Sequence, residues 1–185
     1  MNRISKRFFP LPIDFKNHQE IDFDQDKCCD ELGLRKESFK IFYPNRLMIS
    51  EKSSDILTGQ TKGTDIFLKG FAQYVKSRPG KNIEVIFIKN KGSVSESEVV
   101  DLITLLKIEK YIKGVKPKFE NPRLGNSELS RIYRISDVVI GDLASKWFGQ
   151  TTIEVAFYKK PIIANMEIEY MKINFGLTLS AKQAI

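Results

Sequence analysis

The sequence predicts an α/β fold in which a parallel sheet lies between two layers of helices. Two observations support this prediction. Short apolar segments with strand character alternate with amphipathic segments of helical spacing, an order typical of βαβ units. The strand segments are also apolar along their whole length, as expected when helices cover both faces of a parallel sheet. The chain of 185 residues is 42% hydrophobic and 29% charged, which fits one globular domain with a core of useful size.

Five segments have the composition of buried strands. They are rich in β-branched and aromatic residues, and turn-forming residues bound several of them. In chain order the predicted strands are 39–43, 83–88, 111–115, 138–140 and 161–164. In an open parallel sheet ligands bind outside the carboxyl ends of the strands, so we searched those ends for candidate site residues.

Four segments that follow the first, second, third and fourth strands have helical periodicity. The clearest is 64–77, which Pro79-Gly80 stops. Six of its residues are predicted to share one face: Ile66, Phe67, Gly70, Phe71, Tyr74 and Val75. Ser95 is a candidate N-cap for the next helix, with glutamates in its first turn. The other predicted helices are 95–107, 127–135 and 148–158.

We predict three regions along the chain. Residues 1–38 form an irregular leading segment with a short helix over 27–34, which Gly33 can end. Residues 39–165 form the α/β domain. Residues 166–185 are a tail that closes this domain incompletely, so we expect the chain to be a fragment or an excised domain.

The charge balance is basic, with 30 Lys and Arg against 23 Asp and Glu and a net charge of +7. Such an excess favours phosphorylated or polyanionic partners, although an ordinary solvated basic surface explains it equally well. Basic residues do not alternate regularly with aromatic ones, which argues against nucleic-acid binding.

Cysteine use and hydropathy bear on location. Cys28 and Cys29 are adjacent and, with His18, cannot supply the usual four ligands of a zinc site, so a reducing compartment is expected. No signal-peptide core and no apolar run long enough to span a membrane is present in the sequence. We therefore expect a cytoplasmic protein, with peripheral contact to the inner membrane face through its basic surface as a further expectation.

The most informative motif lies at the start of the last predicted helix. Gly149, Gln150 and Thr151 place backbone amides at a helix N-terminus, which attracts phosphate. Glu154 follows one turn later and can accept hydrogen bonds from ribose hydroxyls. A tight turn and a solvated glutamate are the ordinary alternatives. Together the residues suggest a site for a nucleoside diphosphate.

Two cations add to this suggestion. Arg46 closely follows the first predicted strand, and Lys62 precedes the first long helix. Arginine binds phosphate through a forked pair of donors and lysine binds it as a point charge, so the two could clamp a diphosphate. Taken separately, each is more often a surface side chain or part of an ordinary helix cap.

In order and spacing these motifs resemble the C-terminal, donor-binding half of a GT-B glycosyltransferase. The closest similarity is to the large retaining family of group 1, or family 4, which includes many polysaccharide and lipopolysaccharide sugar transferases. The resemblance covers roughly residues 9–165. The segments that carry it are 9–14, Arg46, 62–65, 129–139, Phe148-Gly149 with Glu154, and 160–164.

The resemblance implies a Rossmann-like domain that binds a nucleotide diphosphate sugar such as a UDP-sugar, whose sugar is transferred to a polysaccharide, lipid or similar acceptor. It implies that Arg46 and Lys62 hold the diphosphate, with the amides of Gly149, Gln150 and Thr151. It also implies that Glu154 holds the ribose and that the loop of Lys116 and Pro117 lies near the base.

Two features depart from the family pattern. The family often has a second glutamate eight positions before the ribose-binding one, near the donor sugar, and here Lys146 stands at that position. The acceptor-binding N-terminal domain is missing from this chain, so we expect it to be inactive alone. No Asp-x-Asp metal motif is present in the sequence, and neither a metal nor another cofactor is implied.

Two other functions stay open on the sequence alone. A sugar-nucleotide epimerase or a phosphorylase-like protein could use the same scaffold, although an epimerase needs acid and base groups that a chain with one histidine supplies poorly. A non-catalytic binding or assembly module is the second alternative, and both Lys146 and the missing partner domain favour it.

Overall fold

The structure is a computed structural model that describes residues 23–49, 62–88, 96–115, 124–144, 149–165 and 167. Eleven short elements make up this part of the chain. In order they are α1 Gln25–Leu32, β1 Phe39–Tyr43, α2 Thr64–Ser77, β2 Ile83–Ile88, α3 Glu96–Leu106, a 3₁₀ turn Glu109–Tyr111, β3 Ile112–Val115, α4 Asn126–Ile135, β4 Val138–Ile140, α5 Gln150–Phe157 and β5 Ile162–Ile163.

The five strands form one parallel sheet in the order β3-β2-β1-β4-β5. The longest pairing joins β1 to β2 with Phe39 opposite Ile83 and Tyr43 opposite Phe87. The α/β class, the parallel sheet and all five strands predicted from the sequence are confirmed. Because the chain runs outward from β1 to β3 and then returns to β4 beside β1, the direction of winding reverses between β1 and β4.

Several boundaries differ from the sequence prediction by one or two residues: α3 ends at Leu106, not at residue 107, and α4 begins at Asn126, not at residue 127. Tyr111 was expected in β3 but ends a 3₁₀ turn, in which its amide donates to the carbonyl of Ile108. The last helix ends at Phe157 because Lys159 has a positive φ of 53°. The strand expected over 161–164 contains only Ile162–Ile163. Phe148, the predicted first residue of the last helix, and Ser95, the predicted N-cap of α3, lie outside the described residues.

The leading segment contains the expected short helix, shifted by two residues toward the N-terminus. Asp24 caps α1 by accepting from the amide of Lys27 at 3.0 Å, and Gly33 ends it in the left-handed conformation, with φ 65°. Cys28 and Cys29 are fully buried free thiols of this helix. Burial raises the pKa of both thiols, so they serve the core as small apolar side chains.

Alternate residues of the strands contribute to two hydrophobic cores, one on each face of the sheet. On one face, α2 and α3 pack on Ile41, Tyr43, Val85 and Phe87. On the other face, α1, α4 and α5 cover Phe42, Ile86 and Val139. This arrangement explains why the strands read as continuous apolar runs.

Near the amino ends of β1 and β2, the second core also buries two charged residues. Glu84 accepts from the Arg35 amide at 2.8 Å, from Arg35 Nε at 3.2 Å and from Ser38 Oγ at 2.5 Å, and Lys113 Nζ lies 3.6 Å away. Lys40 Nζ donates to the carbonyls of Lys36 and Ser38, both at 2.9 Å. Burial alone would raise the pKa of Glu84, but these hydrogen bonds outweigh it and lower the pKa.

Candidate functional site

The carboxyl ends of β1 and β4 flank the point where the winding of the sheet reverses, and the sequence-predicted site residues lie around these ends. Asn45 joins the two strands: its Nδ2 donates to the carbonyls of Ile140 at 3.1 Å and Gly141 at 2.9 Å. The next residue is Arg46, whose side chain is exposed. The structure thus leaves the Arg46 residue exposed where β1 ends, beside the carboxyl ends of β1 and β4, which we call the β1–β4 crevice.

The start of α2 is fixed against the same crevice. Thr64 is fully buried, its Oγ1 lies 2.9 Å from the Tyr43 hydroxyl, and it donates to the carbonyl of Arg46 at 3.2 Å. Gly63 has φ 77°, and a Cβ there would come within 2.9 Å of the Leu143 Cβ. Glycine is therefore required both by the backbone conformation and by close approach to the loop after β4.

Lys62 forms an ion pair that the sequence did not predict. Its Nζ lies 2.7 Å from Oδ2 of Asp142, which follows β4 and is only 8% exposed, and the amide of Ala144 donates to the other oxygen at 3.0 Å. The Lys62 side chain as a whole stays 31% exposed. The positive charge of Lys62 at the crevice is therefore partly offset, while its side chain is held in one place.

The start of α5 has the expected form of an anion site. Gly149 is its N-cap and has no side chain to cap the first turn, where the amides of Gln150 and Thr151 stand. The amide of Thr152 already donates to the carbonyl of Gly149 at 3.0 Å. The partial positive charge of this eight-residue helix adds to the attraction for an anion.

Glu154 is buried, with 7% of its surface exposed. The hydroxyl of Tyr133 donates to its Oε2 at 2.7 Å, and Nε2 of Gln150 donates to its Oε1 at 2.9 Å. The sequence alternative, a solvated glutamate on a helix surface, is therefore wrong. Its position is held by one donor from α4 and one from its own helix.

A cavity of about 290 Å³ opens beside this carboxylate. One part of its wall is apolar and the other is polar. The lining residues are Pro44, Ile88, Leu124, Leu129, Tyr133, Gln150, Thr151 and Glu154. Arg46 and Lys62 are not among them, so the structure does not bring these two cations to the cavity wall; Pro44, which directly follows β1, is the lining residue nearest to Arg46 along the chain.

The two buried hydroxyls near the site, those of Tyr133 and Tyr43, are both held in the protonated form. Burial, and then the negative charge of Glu154, raise the pKa of Tyr133, so its phenol stays protonated and donates. Burial likewise raises the pKa of Tyr43, although its hydrogen bond to Thr64 acts in the opposite direction. Both groups are therefore neutral at physiological pH.

The structure thus describes six of the nine predicted site residues. It brings Gln150, Thr151 and Glu154 together around the cavity, with Gly149 at the cap just before them. Arg46 and Lys62 belong to the β1–β4 crevice. Lys116, Pro117 and Lys146 lie outside the described residues, so their roles stay predictions.

Sequence reasoning missed the roles of Asn45, Tyr133 and Asp142. Asp142 was visible as an acidic residue after a strand, the position at which site residues concentrate. Asn45 directly precedes Arg46, and a short amide side chain after a strand is also a usable signal. Nothing local marks Tyr133, because it resembles any apolar residue of an amphipathic helix.

Membrane-spanning helices and metal-ligand clusters are two further features to consider in the described ranges. None of the helices in them is long and apolar enough to cross a bilayer. The same ranges hold no group of three or more His, Cys, Asp or Glu side chains placed to share a metal ion.

The sequence matches no family model and no curated protein. Solved structures of similar fold exist. A glycosyltransferase from Rickettsia africae ESF-5 matches with a TM-score of 0.57 and 22% identity, over 83% of this chain and 36% of its own length. Anabaena Alr3699/HepE in complex with UDP-glucose matches with a TM-score of 0.56 and 18% identity, over 82% of this chain and 36% of its own length. The HepE structure in complex with UDP matches with a TM-score of 0.57 and 20% identity, again over 82% of this chain and 36% of its own length.

These likenesses establish the fold. The chain spans about a third of the length of the structures that it matches, 36% in each case. The predicted resemblance is confirmed at the level of the fold: the chain has a Rossmann-like α/β fold, with a parallel sheet and helices on both faces, that these solved structures share over that part of their chains.

Proposed function

We propose that this chain is the part of a glycosyltransferase that binds a nucleoside diphosphate sugar, and that sugar transfer requires an acceptor-binding domain outside it. The main support is the position of Glu154, a buried carboxylate beside a helix N-terminus and a partly apolar cavity at the carboxyl edge of the sheet. A nucleoside diphosphate presents a diol, an anionic group and a flat base, and this edge offers a matching group for each.

The ribose is assigned to Glu154. A carboxylate is an acceptor-only group with about four lone-pair positions, and the described residues use two of them through Tyr133 and Gln150. Two positions remain for the two hydroxyls of a ribose. Hydrogen bonds to a charged acceptor are stronger than neutral ones, which favours this pairing.

The diphosphate is assigned to the first-turn amides of α5 together with Arg46 and Lys62. The amides of Gln150 and Thr151 stand at the rim of the cavity, and the exposed Arg46 can reach an anion in the β1–β4 crevice. Asp142 holds Lys62 beside this crevice. Lys62 can serve a diphosphate from there only by sharing its ammonium with the carboxylate.

The base is assigned to the apolar part of the cavity wall, where Ile88, Leu124 and Leu129 supply a surface against which a flat ring can pack. Lys116 and Pro117 follow β3 and remain our proposed neighbours of the base. Lys146 precedes Gly149 by three positions and remains our proposed neighbour of the donor sugar.

In transfer, negative charge develops on the leaving diphosphate. Fixed donors that face this charge lower the barrier because they need no reorganisation, and one such donor is worth about 3 kcal/mol. The α5 amides, Arg46 and Lys62 are the proposed donors. The proposal does not include a metal ion, because cations and amides perform the same task.

The remaining parts of the proposal concern the whole protein. The acceptor, a polysaccharide, lipid or similar molecule, would bind to the second domain. We place the protein in the cytoplasm, with peripheral contact to the membrane through its basic surface as the way to reach a lipid-linked acceptor.

Titration calorimetry of the chain with UDP, GDP and their sugars tests the proposal. UDP comes first because HepE, which shares the fold, was crystallised with UDP and with UDP-glucose. We expect micromolar binding that Arg46→Ala weakens about tenfold. Lys69→Ala is the matched control, since it removes an equal charge from the surface of α2. There the Lys69 Nζ forms an ion pair with Oδ2 of Asp65 at 3.2 Å.

A non-catalytic binding or assembly module is the second candidate. The ion pair of Lys62 with Asp142 favours it, because it lowers the net positive charge at the crevice. Failure of the chain to bind any nucleoside diphosphate would support this module and refute the first proposal. Equal losses in Arg46→Ala and Lys69→Ala would refute the assignment of Arg46.

A further inference from the structure

We infer that Tyr133 is a positioning residue for nucleotide recognition: its hydroxyl holds the Glu154 carboxylate in the orientation that accepts both ribose hydroxyls. This inference rests on the function proposed above, and it adds the element that makes a glutamate on a helix selective for a ribonucleotide.

The ring of Tyr133 is held rigidly. It is fully buried, it stacks on Tyr158 with centroids 5.1 Å apart and planes 18° apart, and it meets the edge of Phe42 at 5.2 Å and 73°. Phe42 belongs to β1, and Tyr158 is the C-cap residue that directly follows α5. The ring therefore has contacts with the central strand and with the helix that carries Glu154, and its hydroxyl has little freedom to move.

The hydrogen bond runs in one direction only. Burial and the nearby carboxylate raise the pKa of Tyr133, so the phenol keeps its proton and its hydroxyl donates a hydrogen bond of 2.7 Å to Oε2 of Glu154. A buried carboxylate with no donor would carry a large desolvation cost, and this bond reduces it. Tyr133 thus keeps a charged acceptor at the wall of the cavity.

Gln150 cannot take over this role. Its side chain lies at the exposed start of α5 and donates to Oε1 from the cavity side. A ligand or water can replace such a part-buried bond, whereas the bond from Tyr133 is buried, although the Tyr133 side chain also borders the cavity. The buried hydroxyl therefore sets the carboxylate plane, and the open side of the carboxylate stays available to a diol.

The experiment compares UDP with 2′-deoxy-UDP, which lacks one of the two ribose hydroxyls. For the full chain, titration calorimetry gives the dissociation constant of each nucleotide, and the ratio of the two measures how well the ribose is recognised. We expect a ratio of about ten in the unmodified chain, as for the loss of a hydrogen bond to a charged acceptor. In Tyr133→Phe we expect it to fall to about two, because the carboxylate is no longer oriented.

Tyr158→Phe is the matched control, since it removes a hydroxyl from the same aromatic stack, and its ratio should stay at about ten. Inorganic pyrophosphate lacks the ribose, so its affinity should be the same in all three proteins.

A ratio that survives in Tyr133→Phe while both affinities fall together would overturn the inference, since it would show a structural role only. Loss of folding in Tyr133→Phe, measured by urea denaturation, would overturn it for the same reason. Absence of UDP binding to the unmodified chain would instead refute the proposed function, and the inference with it.

Discussion

Glu84 and Glu154 are both buried carboxylates on the same face of one sheet, but they lie toward opposite ends of its strands and are satisfied differently. Glu84, toward the amino edge, receives three hydrogen bonds from Arg35 and Ser38 and an ion pair from Lys113. Glu154, at the carboxyl edge, receives two hydrogen bonds from described residues and borders a cavity of about 290 Å³.

The difference shows which observation points to a binding site. Burial and a shifted pKa alone do not, since Glu84 has both and its acceptor positions are occupied by its own chain. Acceptor capacity that remains and faces a cavity is the more specific sign, and Glu154 has it. The comparison predicts that the first carboxylate serves stability and the second serves binding.

The largest expected effect is on stability at the amino edge. Glu84→Gln removes the charge and replaces one acceptor oxygen with a donor that opposes the Arg35 and Ser38 donors, so we expect a loss of about 3 kcal/mol in the free energy of unfolding. Urea denaturation at pH 7 measures it. The affinity of the folded variant for UDP should not change, and a loss of affinity without a loss of stability would break the comparison.

Part of the difference in unfolding free energy between the unmodified chain and Glu84→Gln should depend on pH. The pKa of Glu84 is lower in the folded chain than in the unfolded one, so its stabilising contribution is complete above the unfolded pKa of about 4.3 and is lost as the pH falls through the folded value. The gap in unfolding free energy between the unmodified chain and Glu84→Gln should therefore shrink from pH 6 to pH 3. Urea titrations across this range check the sign. A gap that widens on acidification would contradict the assignment.

At the carboxyl edge the expected pattern is reversed. Glu154→Gln keeps one acceptor for Tyr133, and the exposed Gln150 amide can turn its own oxygen toward the new donor, so we expect about 1 kcal/mol of lost stability, less than for Glu84→Gln. Its affinity for UDP should fall about tenfold, or about 1.4 kcal/mol, because the charged acceptor for the ribose is gone. Parallel calorimetry and urea denaturation separate the two quantities. Normal UDP binding by this variant would remove the ribose assignment.

The smallest effect concerns the Lys62 pair. Asp142→Asn keeps an oxygen that can accept from Lys62 but removes a negative charge from the crevice, so we expect UDP to bind about threefold more tightly, roughly 0.6 kcal/mol. Calorimetry at low and at high salt measures this change, which should diminish as salt screens the charges. Weaker binding would instead indicate that Asp142 is needed to position Lys62.

Much of the fold could be predicted from the sequence because the signals are local. The apolar composition of 39–43 and 83–88 and the helical stripe of 64–77 depend on neighbouring residues alone. The 3₁₀ turn at Tyr111 was missed because an aromatic residue before an apolar run looks the same in a strand or in a turn. In the candidate site, Gly149 and Glu154 could be found because a glycine cap and a residue one turn later are separated by a fixed spacing.

The partners of these residues could not be found in the same way. Lys62 and Asp142 are 80 residues apart in sequence, and Asn45 lies 95 residues before Ile140, to whose carbonyl it donates a hydrogen bond. Such contacts depend on which strand lies next to β1, and a strand with apolar residues on both faces can pair with several others equally well.

The amino-acid pattern alone thus determined the α/β class, the number of strands and the helix start that faces the candidate ligand, because periodicity and capping act over a few residues. The tertiary structure alone decided that β4 lies beside β1, that Tyr133 reaches Glu154, and that the charge of Lys62 is shared with Asp142. The physical reason is that packing and electrostatics act through space, and the distance between two side chains is set by the strand order rather than by their separation along the chain.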